Sequence, residues 1–119
     1  KKEILDLLNR SGGTGADRDF FNETWPRRNK SQVKVWLLYL DNKLAGFSVA
    51  DNSNLMNYGM GKNIKETGIY TFIDILERRK GYGELLSNKA INFAKSQKWN
   101  PKGFAHSIEG ENLYHKLGI

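Results

Sequence analysis

The sequence predicts an α/β domain in which helices flank a mixed β-sheet. Residues 33–40 and 44–50 are apolar segments joined by a short polar turn, which is the pattern of an antiparallel β-hairpin. Residues 69–76 and 103–108 have strand character and are separated by an amphipathic helix, an order that implies a parallel pair. Together the two observations predict antiparallel and parallel strands in one sheet.

The composition fits one soluble domain. A chain of 119 residues can bury a substantial core, and three Trp, six Phe and five Tyr are available to fill it. The absence of cysteine excludes disulfides, thiolate metal sites and cysteine nucleophiles. No apolar run approaches the ~20 residues of a membrane span, and the first residues lack a signal-peptide core. We therefore expect a soluble, cytoplasmic protein.

The N-terminal part, residues 1–32, is predicted to be helical and to end in a loop. Residues 1–10 have helical spacing and place their apolar side chains on one side: Ile4, Leu5, Leu7 and Leu8. Residues 11–15 are rich in glycine, but no Gly-Lys-Ser/Thr follows them, so we interpret them as a connection. Residues 17–25 predict a second short helix, and the basic residues 26–30 predict a solvated loop.

The remaining residues, 33–119, contain the hairpin and the body of the sheet. Residues 33–40 predict a buried strand, and residues 51–68 a long polar loop with room for one more short strand. Residues 82–99 are the clearest helix, and its predicted inner face consists of Leu86, Ala90, Phe93, Ala94 and Gln97. Residues 110–117 predict a last helix, which Gly118 caps.

A cationic glycine turn is the main chemical signal in the sequence. Residues 78–83, Arg-Arg-Lys-Gly-Tyr-Gly, follow a predicted strand and open a predicted helix. The first turn of a helix has N–H groups without partners and a positive dipole end, and glycines let the main chain approach a phosphate closely. The net charge of +6 favours an anionic partner, either nucleic acid or a polyphosphate cofactor. The turn therefore predicts a pyrophosphate site.

The spacing Arg-x-x-Gly-x-Gly resembles the cofactor loop of the GNAT superfamily of N-acetyltransferases, Gln/Arg-x-x-Gly-x-Gly/Ala. Two other stretches agree in the same order: residues 41–47, Asp-Asn-Lys-Leu-Ala-Gly-Phe, and residues 113–119, Leu-Tyr-His-Lys-Leu-Gly-Ile. The resemblance covers most of residues 33–119. It implies a single GNAT-like domain over residues 1–119 that uses acetyl-CoA, although the family's strands before the first helix and after the closing motif are not visible.

The resemblance implies roles for individual residues. The main chain around Ile73 and Ile75 would pair with the pantetheine arm of the cofactor. The loop that would hold the pyrophosphate consists of Arg78, Arg79, Lys80, Gly81, Tyr82, Gly83 and Glu84. Tyr114 stands where the family often has a tyrosine that acts as general acid to the leaving thiolate, although on an amphipathic helix it could also be a core aromatic. Ile108 stands where many members have a cofactor-contacting asparagine, and Asn112 lies nearer to the tyrosine.

The general base is not fixed by the sequence. Candidates are Asp74, Glu66 and His106, each of which also has a structural interpretation. Asp74 lies among apolar neighbours, so burial would raise its pKa, and His106 titrates near neutral pH without help. The two histidines, His106 and His115, have no carboxylate at ligand spacing, so no metal site is predicted.

These observations predict an enzyme that moves an acetyl group from acetyl-CoA to a primary amine. The alternative is a GNAT-like binding module with reduced catalysis that contacts nucleic acid or protein. A small-molecule amine, a peptide N-terminus, a lysine and a nucleic-acid base amine all remain open as acceptors. A partner in a membrane is not expected, and the oligomeric state is not predicted.

Overall fold

The computed structural model describes residues 2–13, 15–27, 33–52, 66–105 and 108–119. The helices are α1 (Lys2–Arg10), α2 (Gly15–Thr24), α3 (Tyr82–Ser96) and α4 (Ile108–Lys116). The strands are β1 (Val33–Leu40), β2 (Lys43–Asp51), β3 (Glu66–Ile73) and β4 (Asn100–Gly103). Two 3-10 turns occupy Trp25–Arg27 and Ile75–Glu77. None of the helices described is long and apolar enough to cross a bilayer.

The strands form one mixed sheet in the order β1-β2-β3-β4, which confirms the predicted fold class. β1 pairs with β2 and β2 with β3 in antiparallel fashion, whereas β3 and β4 are parallel. Asp41 and Asn42 connect β1 to β2 with φ angles of 51° and 63°. Tight two-residue hairpin turns require this left-handed backbone, and Asn and Asp tolerate it better than most residues.

Helices cover both faces of the sheet, and each face has its own apolar cluster. On the face of α1 and α2 the buried residues are Ile4, Leu7, Leu8, Phe21, Val33, Leu44, Phe47, Val49, Tyr70 and Phe72. On the face of α3 and α4 they are Ala50, Ile69, Ala90, Ile91 and Tyr114. β3 contributes to both clusters because successive side chains of a strand point to opposite faces.

Two strands differ from their predicted positions. β3 was expected at residues 69–76 but ends at Ile73, because the Asp74 side chain accepts a hydrogen bond from Leu76 N and starts a 3-10 turn. β4 was expected at residues 103–108 but runs from Asn100 to Gly103. Its position depends on main-chain pairing with β3, and this pairing cannot be predicted from the hydrophobic pattern of the sequence.

Burial corrects two further expectations. β1 is not a buried strand, since Leu37 and Tyr39 are 42% and 47% exposed at the edge of the described sheet. α3 ends at Ser96 and buries Leu86, Ser87, Ala90, Ile91 and Ala94. Phe93 is half-buried against the same cluster as predicted, whereas Gln97 is exposed. Most of the predicted loops at residues 26–30 and 51–68 lies outside the described residues.

Candidate active site

A cleft opens where the two parallel strands separate. β4 accompanies β3 only from Glu66 to Ile69, where Ile69 faces Gly103. Phe104 N then donates to the Ile69 carbonyl at 2.8 Å, and β3 continues to Ile73 paired with β2 but with no described strand on its β4 side. The resulting cleft has a volume of about 580 Å³ and reaches the cationic glycine turn.

The free edge of β3 presents main-chain groups to this cleft. Thr71 N points away from β2 and donates to the Tyr114 hydroxyl at 2.8 Å. Alternate residues of an antiparallel strand direct their N–H and C=O to the same side, so Ile73 also faces the cleft. The Ile73 carbonyl accepts from Arg78 Nε at 2.9 Å. The Thr71 C=O and the Ile73 N–H therefore face the cleft, in the arrangement that a strand edge offers to an added extended chain.

The N-terminus of α3 forms a second wall of the cleft, the first being the free edge of β3. Gly81 precedes the helix with a φ of 88°. The space next to its Cα is empty, since a Cβ there would meet nothing within 4 Å. The N–H groups of Tyr82, Gly83 and Glu84 lie in the first turn, where a helix supplies no carbonyl acceptors. α3 has 15 residues, so the positive end of its dipole is well developed. An anion fits this position.

The cations of the turn do not all face the cleft. The Arg78 guanidinium lies 5.3 Å from the centre of the Phe72 ring while its Nε bonds to the Ile73 carbonyl. Lys80 forms an exposed ion pair with Glu77 at 3.0 Å. Arg78 therefore fixes the end of β3, and Lys80 is directed to solvent.

Most of the residues predicted to bind a cofactor line the cleft. These are Ile73, Arg78, Arg79, Gly81, Gly83 and Glu84. Ile75 does not extend the strand edge, because it lies in the 3-10 turn with 55% of its surface exposed. Neither Lys80 nor Tyr82 presents its side chain to the cleft, although the Tyr82 N–H belongs to the first turn of α3.

Tyr114 closes the cleft beneath the point where the strands part. Its side chain is buried, and a Cβ on Gly103 would lie 2.5 Å from its ring, so only glycine leaves room for the ring beside β4. Burial raises the pKa of Tyr114 to about 12, although the hydrogen bond from Thr71 acts to lower it. The phenol accepts from Thr71 N and keeps its own proton to donate. At neutral pH it is a hydrogen-bond donor.

Asp74, a predicted base, does not line the cleft. Its carboxylate accepts from Arg10 Nε at 3.2 Å, Ser11 Oγ at 2.9 Å and Leu76 N at 3.2 Å. Burial acts to raise the pKa of Asp74, but these hydrogen bonds and the charge of Arg10 outweigh it, and the pKa falls below its usual value. The expected raised pKa is therefore wrong. This carboxylate joins α1 to the turn after β3 and is a poor base.

Glu66, the second predicted base, lies at the far end of β3 from the glycine turn. Glu66 begins β3, seven residues and so about 23 Å from Ile73 along the strand. His106 lies outside the described residues. The described part of the chain contains no group of three potential metal-ligating side chains among His, Cys, Asp and Glu.

We expect Asp74→Asn to destabilise the protein in a pH-dependent way. The hydrogen bonds to a charged group contribute about 1–3 kcal/mol. Because the pKa of Asp74 is lowered in the folded state, its stabilisation is present above the unfolded pKa of about 3.9 and is lost as the pH falls through the folded value. Urea unfolding should show the variant weaker near neutral pH and nearly equal to wild type in strong acid. Asp6→Asn, at an exposed position of α1, is the control; an equal loss at both pH values would contradict the account.

Asp17 and Tyr70 are among the cleft residues that sequence reasoning missed. The Tyr70 hydroxyl donates to the Asp17 carboxylate across 53 positions of sequence. Burial, and then the hydrogen bond to Asp17, raise the pKa of Tyr70 far above its usual range. No sequence pattern signals a contact between such distant residues. Asn112 also lines the cleft, whereas Ile108 is 77% exposed and does not.

Comparisons with known proteins identify the fold. No protein-family profile matches the sequence, and no curated protein matches it either. A predicted acetyltransferase from Clostridium acetobutylicum, solved with acetyl-CoA, superposes with a TM-score of 0.70 over 99% of this chain and 84% of its own, at 14% identity. A GNAT-family acetyltransferase from Streptococcus pneumoniae gives a TM-score of 0.68 over 98% of this chain and 76% of its own, at 20% identity. The chain has the GNAT fold.

An aminoglycoside antibiotic 6′-N-acetyltransferase from Acinetobacter haemolyticus shares this fold at a TM-score of 0.67, with 14% identity over 100% of this chain and 86% of its own.

Proposed function

We propose that the protein transfers an acetyl group from acetyl-CoA to a primary amine. The observation that carries the proposal is the meeting of three features in one cleft: the open edge of β3, the first turn of α3 and the phenol of Tyr114. The similarity to a structure solved with acetyl-CoA, and to one named as an aminoglycoside acetyltransferase, supports it.

The residues present suit each part of the cofactor. The Thr71 C=O and Ile73 N–H would pair with the amides of the pantetheine arm, as in strand addition. The N–H groups of Tyr82, Gly83 and Glu84 would hold the pyrophosphate, and Arg79 adds a cation at the same wall. The open space at Gly81 would let a phosphate approach the main chain. Acetyl-CoA supplies the activated thioester.

In the proposed reaction the amine nitrogen attacks the thioester carbonyl, so a C–N bond forms and the C–S bond breaks. Coenzyme A leaves as a thiolate, and the proton lost by the nitrogen passes to solvent. Tyr114 donates a hydrogen bond to the departing sulfur. With a pKa of about 12, this phenol is too weak an acid for complete proton transfer to be its main contribution. Its effect is therefore electrostatic stabilisation of the developing negative charge.

The direct test incubates the protein with acetyl-CoA and a panel of amines. Kanamycin, spermidine, an alanine-terminated peptide and aniline cover cationic, peptide and neutral acceptors. We expect release of free coenzyme A thiol and, by mass spectrometry, one product bearing an acetyl group. Coenzyme A binding without transfer to any acceptor would favour the reduced binding module instead. In that case affinity for duplex DNA, measured across a salt series, distinguishes a nucleic-acid partner, because phosphate contacts weaken steeply with salt.

A further inference from the structure

We infer that Thr71 is a positioning residue for Tyr114: its hydroxyl, held by Ser48 and Ser87, donates to the phenol oxygen and leaves the phenol proton directed into the cleft. The inference rests on the proposed function and deepens it, because it explains how the phenol is oriented toward the departing sulfur. It adds no covalent step to the reaction and concerns only which hydrogen bonds the phenol makes.

Three hydroxyl groups meet between the sheet and α3, and we call them the hydroxyl cluster. Ser48 Oγ of β2 lies 2.9 Å from Thr71 Oγ1 of β3, and Ser87 Oγ of α3 lies 2.8 Å from the same atom. Both serines are completely buried. The cluster therefore joins two strands to the helix that begins at the glycine turn, and the reaction proposed above does not use it.

The direction of each hydrogen bond in the cluster follows from counting donors and acceptors. Among the residues that the structure describes, Thr71 Oγ1 is the hydrogen-bond partner of both serine hydroxyls. A buried hydroxyl that donates to no acceptor costs free energy, so each serine donates to Thr71 Oγ1. A hydroxyl oxygen accepts two hydrogen bonds and carries one proton. Both acceptor positions of Thr71 are then filled, and its own proton is left for a third partner.

The third partner is the phenol of Tyr114. Thr71 N donates to the Tyr114 hydroxyl at 2.8 Å, which places the phenol oxygen beside Thr71. Burial raises the pKa of Tyr114, and hydrogen bonds from both the N–H and the hydroxyl of Thr71 act to lower it. The phenol oxygen thus receives two donors from one residue.

This arrangement determines where the phenol proton points. Neither group of Thr71 can accept it, because both donate to the phenol oxygen. Tyr114 lines the cleft, so the proton is directed there, where the thioester sulfur would lie in the proposed reaction. The two donors also stabilise the negative charge that the phenol oxygen gains as its proton moves toward the sulfur.

The test measures the phenol without turnover. The protein is labelled with 3-fluorotyrosine, whose fluorine lowers every phenol pKa, and the fluorine NMR signal of residue 114, assigned with Tyr114→Phe, is followed against pH. Thr71→Val replaces the hydroxyl by a methyl group and keeps the branched shape and the N–H. We expect it to raise the pKa of the labelled Tyr114 by about 1, the equivalent of one hydrogen bond to the phenolate. Thr71→Ser restores a hydroxyl and should bring the pKa back to within ~0.3 of wild type.

The matched control is Thr67→Val, the same substitution on the same strand. Thr67 is completely buried, and its hydroxyl donates to Asn52, so the variant loses a buried hydrogen bond away from Tyr114. The pKa of Tyr114 should not change in it. With an amine that the protein accepts, we expect turnover to fall ~10-fold in Thr71→Val and less than ~2-fold in Thr67→Val, with coenzyme A affinity unchanged in both.

An unchanged pKa of Tyr114 in folded Thr71→Val would overturn the inference whatever its turnover, and so would an equal rise in Thr67→Val. A rise specific to Thr71→Val in a protein that acetylates no amine would support the hydrogen bond to Tyr114 and count against the proposed function, so the two failures are distinguishable. If Thr71→Val does not fold, Thr71→Cys replaces it. The thiol is a weaker donor than the hydroxyl, so the pKa of Tyr114 should rise by ~0.5, and no rise would equally overturn the inference.

Discussion

Gly83→Val is expected to weaken coenzyme A binding by at least ~100-fold, because losing two or more charge-assisted hydrogen bonds costs several kcal/mol. Gly83 lies in the first turn of α3 and lines the cleft. A Cβ at this position already lies 3.2 Å from Leu113 Cδ2 and 3.8 Å from Ile73 Cγ1. The two further methyl groups of valine would occupy the space through which a pyrophosphate reaches the N–H groups. Isothermal titration calorimetry with coenzyme A measures the effect.

The matched control is Gly15→Val, which places the same side chain at the start of another helix, in open space and outside the residues that line the cleft. It should bind coenzyme A as wild type does. Gly81→Val should also lose binding, but there the cause is the left-handed φ of 88°, which a β-branched residue resists. A folded Gly83→Val variant with wild-type affinity would show that this loop does not hold the pyrophosphate.

Tyr114→Phe is expected to lower the turnover rate by ~100-fold while coenzyme A affinity changes little, because the hydroxyl acts on charge that develops in the transition state. The variant also removes the acceptor of the Thr71 N–H, so a stability loss of about 1–2 kcal/mol accompanies the rate effect. Steady-state kinetics with an acceptor from the amine panel, together with urea unfolding, separates the two effects.

Two variants define what the hydroxyl contributes. Tyr39→Phe removes a phenol hydroxyl from the exposed strand β1 and should leave the rate unchanged. Gly103→Ala keeps the Tyr114 hydroxyl but forces the ring to move, since the added Cβ would lie 2.5 Å from it, so the rate should fall here as well. Full turnover by Tyr114→Phe would make this residue structural and leave catalysis to positioning of the substrates.

The sequence predicted the elements whose signal is local. The hairpin turn, the glycine turn and the amphipathic helix α3 each depend on residues close together in the chain, and all three lie near their expected positions. β4 could not be located this way, because Asn-Pro-Lys-Gly has no strand pattern and is held by its register with β3. The end of β3 was missed for a similar reason, since one capping side chain, Asp74, decides it.

The same distinction applies to the site. The glycine turn was predicted as a binding segment from its sequence motif, and most of that segment lines the cleft. Side-chain roles depend on distant partners: Asp74 pairs with Arg10 of α1 and accepts from Ser11 just after that helix, and Asp17 accepts from Tyr70 of β3. Burial alone predicted a raised pKa for Asp74, and only the identity of its partners reverses the direction.

The central claim is that the open edge of β3 and the first turn of α3 together hold coenzyme A. Titration of the isotopically labelled protein with coenzyme A, followed through its backbone amide resonances, tests this claim most directly. The account predicts saturable shifts that are largest at Ile73, Gly81, Tyr82 and Gly83, with little change along β1. Shifts confined to β1 or the outer face of α3, or no saturable shift at all, would contradict it.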